Sequence, residues 1–458
     1  MKKQVCRRHF LHSLAVSGSG FFLLKTASSV WSAQANEKLS VALVGVGGRG
    51  EWFTSTIPRM ENLVALCDVD ETKNPDAYER LPKARKFRDF RRMLDEMGKE
   101  IDAVIVATPD HTHAVASAAA LRARKPVFCE KPLTRTVYES RALRDLARQQ
   151  KVATSMGNQG TAAAPFRRAL ELIRYGTLGE IKEVHFWNDG GGADRKAPPS
   201  KTEPVPEWLD WDLWLGPAAF RPYSREWMSR HLWRELGTSQ LGNWASHTAN
   251  LGFMALKVQD LWLHPRNGQP PLSIEARVSS INKLSFPKWE VIKWSIPARA
   301  EFPPITFTWH NGRAPGSREF IEQTLGEGLD WGDKKEKKWA DFAGVIILGS
   351  TGVIHATAHN ATCRLLPKDN FRDIQTERPE KVEPSQGHEA DWFRACRGGP
   401  QPWANFDYAD ALNEFLMLGN VATQVEGKLE FDPQAMKITN HAEADALLRC
   451  EYRKGWTL

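Results

Sequence analysis

The chain has 458 residues, 41% of them hydrophobic and 26% charged, a balance that suits a folded chain of two domains and excludes a disordered one. Its formal net charge of +7 overstates the basic character, because Lys2, Lys3, Arg7, Arg8 and Lys25 fall within the first 35 residues, where no acid stands. Setting those five aside takes +7 to +2 for the remainder, which excludes nucleic acid as the expected partner.

The first 35 residues read as an export signal. Arg7-Arg8-His9-Phe10-Leu11 precedes a modestly apolar stretch, Leu14 to Leu24, and Ala33-Gln34-Ala35 offers a small-residue cleavage site. The Arg-Arg-x-Phe-Leu core resembles a twin-arginine signal, with departures at Cys6 and His12. That implies the twin-arginine export machinery as a partner and a periplasmic or otherwise exported location. The apolar stretch is well short of the roughly 20 residues a membrane span needs. No comparable run follows, so no stable membrane span is expected. Of the six cysteines, Cys67, Cys129, Cys363, Cys396 and Cys450 follow the signal. None has metal-ligand spacing, so neither a zinc site nor a dense disulfide framework is indicated.

Val41 to Val44 is an aliphatic strand running into Gly45-Val46-Gly47-Gly48-Arg49-Gly50, and Glu51 to Ile57 reads as a helix start. Gly45 permits the strand-to-helix turn, Gly47 lets backbone approach a pyrophosphate, and Gly50 lets helix meet strand closely. A second apolar run, Leu63 to Cys67, ends at Asp68, near the spacing expected for the acid that binds a ribose 2′-hydroxyl. The stretch therefore predicts a dinucleotide site. Asp68 favours NAD, since its carboxylate would repel a 2′-phosphate, while Arg49 could pair with one and keeps NADP open.

The alternation continues through Lys83 to Phe87, helical Asp89 to Met97 and the apolar strand Ala103 to Ala107. That strand ends in Thr108-Pro109-Asp110-His111-Thr112-His113, and an alanine-rich helix follows. The strand Pro126 to Cys129 ends in Glu130-Lys131-Pro132. A helix from Val137 to Gln149 leads to a strand, Val152 to Met156, and then Gly157-Asn158. Such a series predicts a doubly wound parallel sheet whose ligand sits at the carboxyl ends of the strands, where Thr108, Lys131 and Asn158 fall. His111 and His113 lack a third ligand nearby, so no metal is expected, and His113 is read as capping or packing at the cofactor edge.

The second half begins with a helix from Phe166 to Tyr175 and a strand from Ile181 to Trp187. Next comes a proline-rich, tryptophan-rich loop holding Trp208, Trp211, Trp214, Trp227 and Trp233. Those rings suit either core packing or stacking on sugar rings. Asp210 and Asp212 alternate on this loop without glycosidase geometry. Strands are expected at Leu272 to Leu284, Glu290 to Ile296, Ile305 to Trp309, Gly344 to Leu348 and Gly352 to Ala356, and helices at Gly387 to Arg397 and Tyr408 to Glu426. The fold expected is α/β, an N-terminal Rossmann doubly wound parallel sheet plus a C-terminal α+β domain with an open, mostly antiparallel sheet. The divisions fall at 1–35, 36–157 and 158–458. Lys334 to Lys338 reads as a solvated loop.

Taken together, Gly45 to Gly50, Thr108-Pro109, Glu130-Lys131-Pro132, Gly157-Asn158-Gln159 and Gly242-Asn243-Trp244-Ala245-Ser246-His247 resemble the Gfo/Idh/MocA oxidoreductases. Trp233-Arg234, Pro297-Ala298-Arg299 and Trp309-His310-Asn311-Gly312 are similar to the exported, twin-arginine branch. The resemblance implies Lys131 between nicotinamide and substrate, where a lysine of lowered pKa relays the proton of a carbinol hydroxyl. Pro132 could hold a cis bond aiming that lysine. The resemblance implies His247 as a second catalytic group and makes Asn158, Trp233, Arg234, Asn243 and His247 candidates for substrate binding. At Asn243 the family usually has aspartate, and at Asn250 commonly so. Asn243 can orient a hydroxyl or His247 yet carries no charge.

The implied activity is hydride transfer between a sugar or polyol and a tightly bound NAD or NADP, with a homo-oligomer by analogy. A redox-neutral NAD-dependent glycoside hydrolase and a non-catalytic sugar-binding member are the alternatives.

Overall fold

The computed structural model describes residues 38–326 and 342–458; the export-signal segment and the run Lys334 to Lys338 lie outside them. Six short strands, β1 (Ser40–Val44), β2 (Asn62–Cys67), β3 (Arg85–Phe87), β4 (Ala103–Val106), β5 (Val127–Cys129) and β6 (Thr154–Met156), form a parallel sheet in the order β3-β2-β1-β4-β5-β6. This is the doubly wound Rossmann order, and its switch point lies between β1 and β4, beyond whose ends the ligand crevice opens. β4 and β5 are buried throughout, because crossover helices cover both faces of a parallel sheet. The helix Val137–Gln150 starts on a capping box, with Thr136 and Glu139 satisfying each other's backbone N–H groups. A short helix, Pro75–Arg80, also forms where the sequence signal was too brief to read.

The second sheet has nine strands: β7 (Ile181–Asn188), β8 (Leu272–Val278), β9 (Glu290–Ile296), β10 (Ile305–Asn311), β11 (Ala343–Gly349), β12 (Val353–Thr357), β13 (Arg364–Leu366), β14 (Leu429–Asp432) and β15 (Lys437–Ile438). Their order is β13-β12-β11-β7-β10-β9-β8-β14-β15, antiparallel except for the β7–β10 pair. The sheet is thus mixed and mostly antiparallel. The strand expected over Leu272 to Leu284 stops at Val278, and the three shortest strands, β13 to β15, carry too few residues to show a period. On one face Trp294 and Phe307 pack against Phe415 of the helix Phe406–Ala422, with the Trp294 and Phe415 rings 4.6 Å apart, and Phe186 packs on Trp294.

The chain returns to its first half near the end. Trp392 and Phe393 of the helix His388–Cys396 join the core around Phe53 and Phe128, and the Phe128 and Trp392 rings lie 5.5 Å apart. A cut at residue 157 therefore follows the sheets but not this helix.

Candidate active site

The glycine turn follows from steric necessity. Gly45 has φ of +91°, and a Cβ there would stand 2.6 Å from the Ala107 carbonyl carbon. A Cβ on Gly50 would meet the Gly45 carbonyl oxygen at 2.1 Å, so the helix Gly50–Met60 can start this close to β1 only with glycine. Asp68, at the end of β2, accepts the N–H groups of Val46 at 2.7 Å and Gly47 at 3.2 Å on one oxygen, and that of Asp70 at 3.0 Å on the other. Burial, opposed by these N–H groups, leaves the Asp68 carboxyl above its usual pKa. Arg49 is turned to Glu130, with Nε to Oε1 at 2.8 Å, so its charge is engaged by a carboxylate.

From this turn a cleft of about 400 Å³ runs along the sheet edge. Gly45, Gly47, Gly48, Arg49 and Asp68 line one end; Thr108, Pro109, His113, Glu130, Lys131 and Asn243 line the other. Gly48 has nothing near its Cβ position, so the loop backbone is open to a phosphate. The closely packed turn, the uncrowded Gly48 and the strand-end carboxylate fit a dinucleotide. Among the described residues no cluster of His, Cys, Asp and Glu is placed to hold a metal.

Lys131 is the cation at the inner end. Its Nζ donates to the Asn243 backbone carbonyl at 2.9 Å and to the Asn243 side-chain oxygen at 2.5 Å. Burial depresses its pKa, Glu130 and Asp110 oppose that, and Arg230 and Arg49 reinforce it; the net shift is downward. The Lys131–Pro132 peptide is cis. Asn243 sits in a π-helical turn, Leu241–Ala245, a local widening frequent at functional sites.

His113 locks two strand-end loops together. Its Nδ1 lies 2.7 Å from the Pro132 carbonyl and its Nε2 2.8 Å from the Thr108 carbonyl. A neutral ring has one N–H and can serve only one of them; the imidazolium serves both. Burial pulls its pKa down, but Cys129, Asp110 and the Pro132 carbonyl outweigh it and raise it to about 9.

His247 lies outside the cleft lining, buried, with its ring 4.6 Å from that of His359. Burial, then the charges of Lys131, His359 and Arg49, push its pKa well down, so it is a neutral imidazole near pH 7 rather than a titrating one. Its Nδ1 is buried without a partner. Asn158 is fully buried at the end of β6, and both polar atoms of its side chain lack partners. Asn250 accepts the Tyr408 hydroxyl at 2.5 Å and serves the core.

Two candidates are corrected. Trp233 is buried in an apolar cluster with Trp211, Trp214 and Trp227, its ring 4.5 Å from that of Trp227. Arg234 is buried too, its guanidinium on the Asn282 carbonyl at 2.6 Å and the Thr423 hydroxyl at 3.0 Å. Neither lines the cleft, because Trp233 holds the loop's own packing and Arg234 ties the loop to Asn282 and Thr423.

That loop supplies what sequence reasoning missed. It crosses the cleft as a strap from the second half. Leu209 bridges Asp70, Asp210 donates its N–H to the Val69 carbonyl at 2.9 Å, and His111 contacts the carbonyls of Trp214 at 2.8 Å and Leu236 at 3.2 Å. Leu213, Trp214, Met228 and Arg230 thereby form the outer wall. Arg230 pairs with the buried Asp110 at 3.5 Å, and Thr238 donates to the same carboxylate at 2.7 Å. Burial works against ionising Asp110, yet Arg230 and its neighbours hold its pKa well below the usual range. The density of tryptophan and proline between residues 203 and 233 was the available signal.

A Rossmann sheet with its glycine turn and a strand-end acid, joined to a large mostly antiparallel sheet, defines a two-domain NAD-binding α/β protein. Residues 39–158 match the Gfo/Idh/MocA model, described as an oxidoreductase family with an NAD-binding Rossmann fold. The inositol 2-dehydrogenase of Acidothermus cellulolyticus is 36% identical over 104 residues, 22% of this chain and 30% of that protein. The match spans between 30% and 54% of the length of such curated relatives. Among solved structures, a levoglucosan dehydrogenase in complex with NADH superposes with a TM-score of 0.54 at 17% identity, over 87% of this chain and 100% of the other. An aldose–aldose oxidoreductase from Caulobacter crescentus does so with 0.53 at 16%, over 86% and 100%. At these identities the likeness is one of fold.

Proposed function

We propose that the chain is an exported NAD-dependent oxidoreductase that exchanges hydride between a carbinol carbon of a sugar or polyol and a tightly held cofactor. The observation that carries this is the half-buried Lys131, held by the Asn243 oxygens at the inner end of the cleft. The nicotinamide, when bound, accepts or returns the hydride. Lys131 moves the accompanying proton. As a neutral amine it has two N–H donors, both taken by the Asn243 oxygens, so its lone pair is left for the substrate hydroxyl. Once protonated it gains a third N–H, which returns the proton in the reverse direction. Asn243 holds the amine without adding negative charge, so burial can keep the proton labile. His247 and Asn158 carry buried, unpaired polar atoms, but both stand outside the cleft lining.

The strap supports tight retention, since one wall of the cleft must move before a dinucleotide leaves. Retention fits export in the folded state and regeneration on a second substrate, the economy that the name of the aldose–aldose relative describes.

The mature protein, purified without added nucleotide, should release about one NAD per chain on denaturation. A sugar should reduce that nucleotide in place, and Lys131→Ala should keep the nucleotide while losing roughly 10²–10⁴-fold in turnover. An empty protein that binds no added NAD would refute the reading. Replacing Arg7 and Arg8 by lysine should leave the chain in the cytoplasm on fractionation; unchanged export would refute the twin-arginine route.

A further inference from the structure

An aromatic rim begins one residue past Asn243, which lines the cleft. Trp244 follows Asn243 in the same π-helical turn and is only half-buried. Its ring lies 4.6 Å from Phe342 at 85° and 5.3 Å from His359, and His359 in turn lies 4.6 Å from the buried His247. Phe342 is 48% exposed, and His359 is exposed as well. The three come from different elements and are held by specific contacts. Phe342 accepts the Asp189 N–H at 2.9 Å. Asn360 donates its side-chain N–H to the His247 carbonyl. The His359 carbonyl stands 2.6 Å from where a Gly160 Cβ would be, so the loop can approach only because residue 160 is glycine.

Two exposed rings and the half-buried Trp244, one residue past the Asn243 that holds Lys131, present an apolar surface that the protein's own packing leaves partly uncovered. A pyranose offers the matching surface, the axial C–H face of its ring, which packs flat on aromatic side chains while its hydroxyls stay wet. Lys131 and Asn243 act at the carbon being oxidised, and Trp244, Phe342 and His359 stand outside the cleft that those two residues line. A ring lying on the rim is therefore a second ring, joined to the first. Partial burial, with Lys131 and Arg49, lowers the pKa of His359, so that ring meets its ligand uncharged at neutral pH.

Resting on the oxidoreductase reading above, we infer that Trp244, Phe342 and His359 form a subsite for a second sugar or aryl ring, making the substrate a glycoside or oligosaccharide. The test uses the mature protein with its bound nucleotide and follows reduced-nicotinamide absorbance. The probes are D-glucose against cellobiose and p-nitrophenyl β-glucoside, and D-galactose against lactose. Glycosides should exceed their monosaccharide in kcat/KM. That ratio should fall roughly three- to tenfold in Phe342→Ala and in His359→Ala, the size of one aromatic contact, and persist in Phe342→Tyr. A monosaccharide used as well as every glycoside, or a ratio unmoved in both alanine variants, overturns the subsite and leaves the oxidoreductase reading intact. Failure of every sugar to reduce the nucleotide overturns both.

Discussion

Replacing Asn243 by aspartate tests how the lysine is tuned. The amide oxygen sits 2.5 Å from the Lys131 Nζ and the backbone carbonyl 2.9 Å away, so a carboxylate of the same shape would meet the amine at the same place. A unit charge pair at about 4 Å interacts by roughly 4 kcal/mol at an effective dielectric of 20, and each tenfold change in proton affinity is about 1.36 kcal/mol. The variant should therefore hold Lys131 protonated to a pH about one to three units higher, the range seen for an opposite charge in contact. Because the neutral amine accepts the hydroxyl proton, the rising limb of log kcat/KM for sugar oxidation should move up by that amount. At a pH on that limb the rate should drop about 10- to 1,000-fold, with recovery in alkali. The assay is a pH profile of single-turnover reduction of the bound nucleotide, alongside Asn243→Ala, which removes the side-chain acceptor without adding charge. A limb that stays in place or moves down in Asn243→Asp would refute Lys131 as the titrating group.

Three further outcomes follow from the same geometry. His113 has a pKa raised to about 9 from an ordinary 6.5, so its contribution to stability is complete below about pH 6.5 and is lost as pH rises through 9. The advantage of the wild type over His113→Asn in urea denaturation should shrink by roughly 3 kcal/mol between pH 6 and pH 9.5; a constant difference would mean that the ring does not titrate there. Gly45→Ala forces a Cβ against the Ala107 backbone at φ of +91°, and should lower stability by at least roughly 1–3 kcal/mol and abolish nucleotide retention. Normal melting with full occupancy would contradict the fitted turn. Arg230→Met leaves the Asp110 carboxylate without its partner and loosens the strap, so nucleotide retained through gel filtration should fall well below that of the wild type. Undiminished occupancy would mean that the strap does not hold the cofactor.

Much of the first half was legible because its signals are local. Strand, glycine turn and helix lie within about twenty residues at Val41 to Met60, and the aliphatic runs ending at Cys67, Val106 and Cys129 carry their own periodicity. A strand's end fixes what stands there, so Asp68, Thr108 and Lys131 could be assigned to one sheet edge before any packing was known. The strands β13 to β15 were not legible, since two to four residues hold no period and form only where neighbours supply their hydrogen bonds.

By itself, then, the sequence determined the Rossmann order, the dinucleotide turn and the place of the lysine, all consequences of short-range sterics and patterning. The tertiary structure alone decided the rest. It put the Asn243 oxygens on Lys131 across 112 residues, drew the strap over the cleft through Leu209 and Arg230, and committed Trp233 to the loop's own packing and Arg234 to Asn282 and Thr423. These are contacts between distant segments. Their partners are chosen by burial and by the pairing of polar groups once the sheets have formed, and no local stretch of residues encodes them.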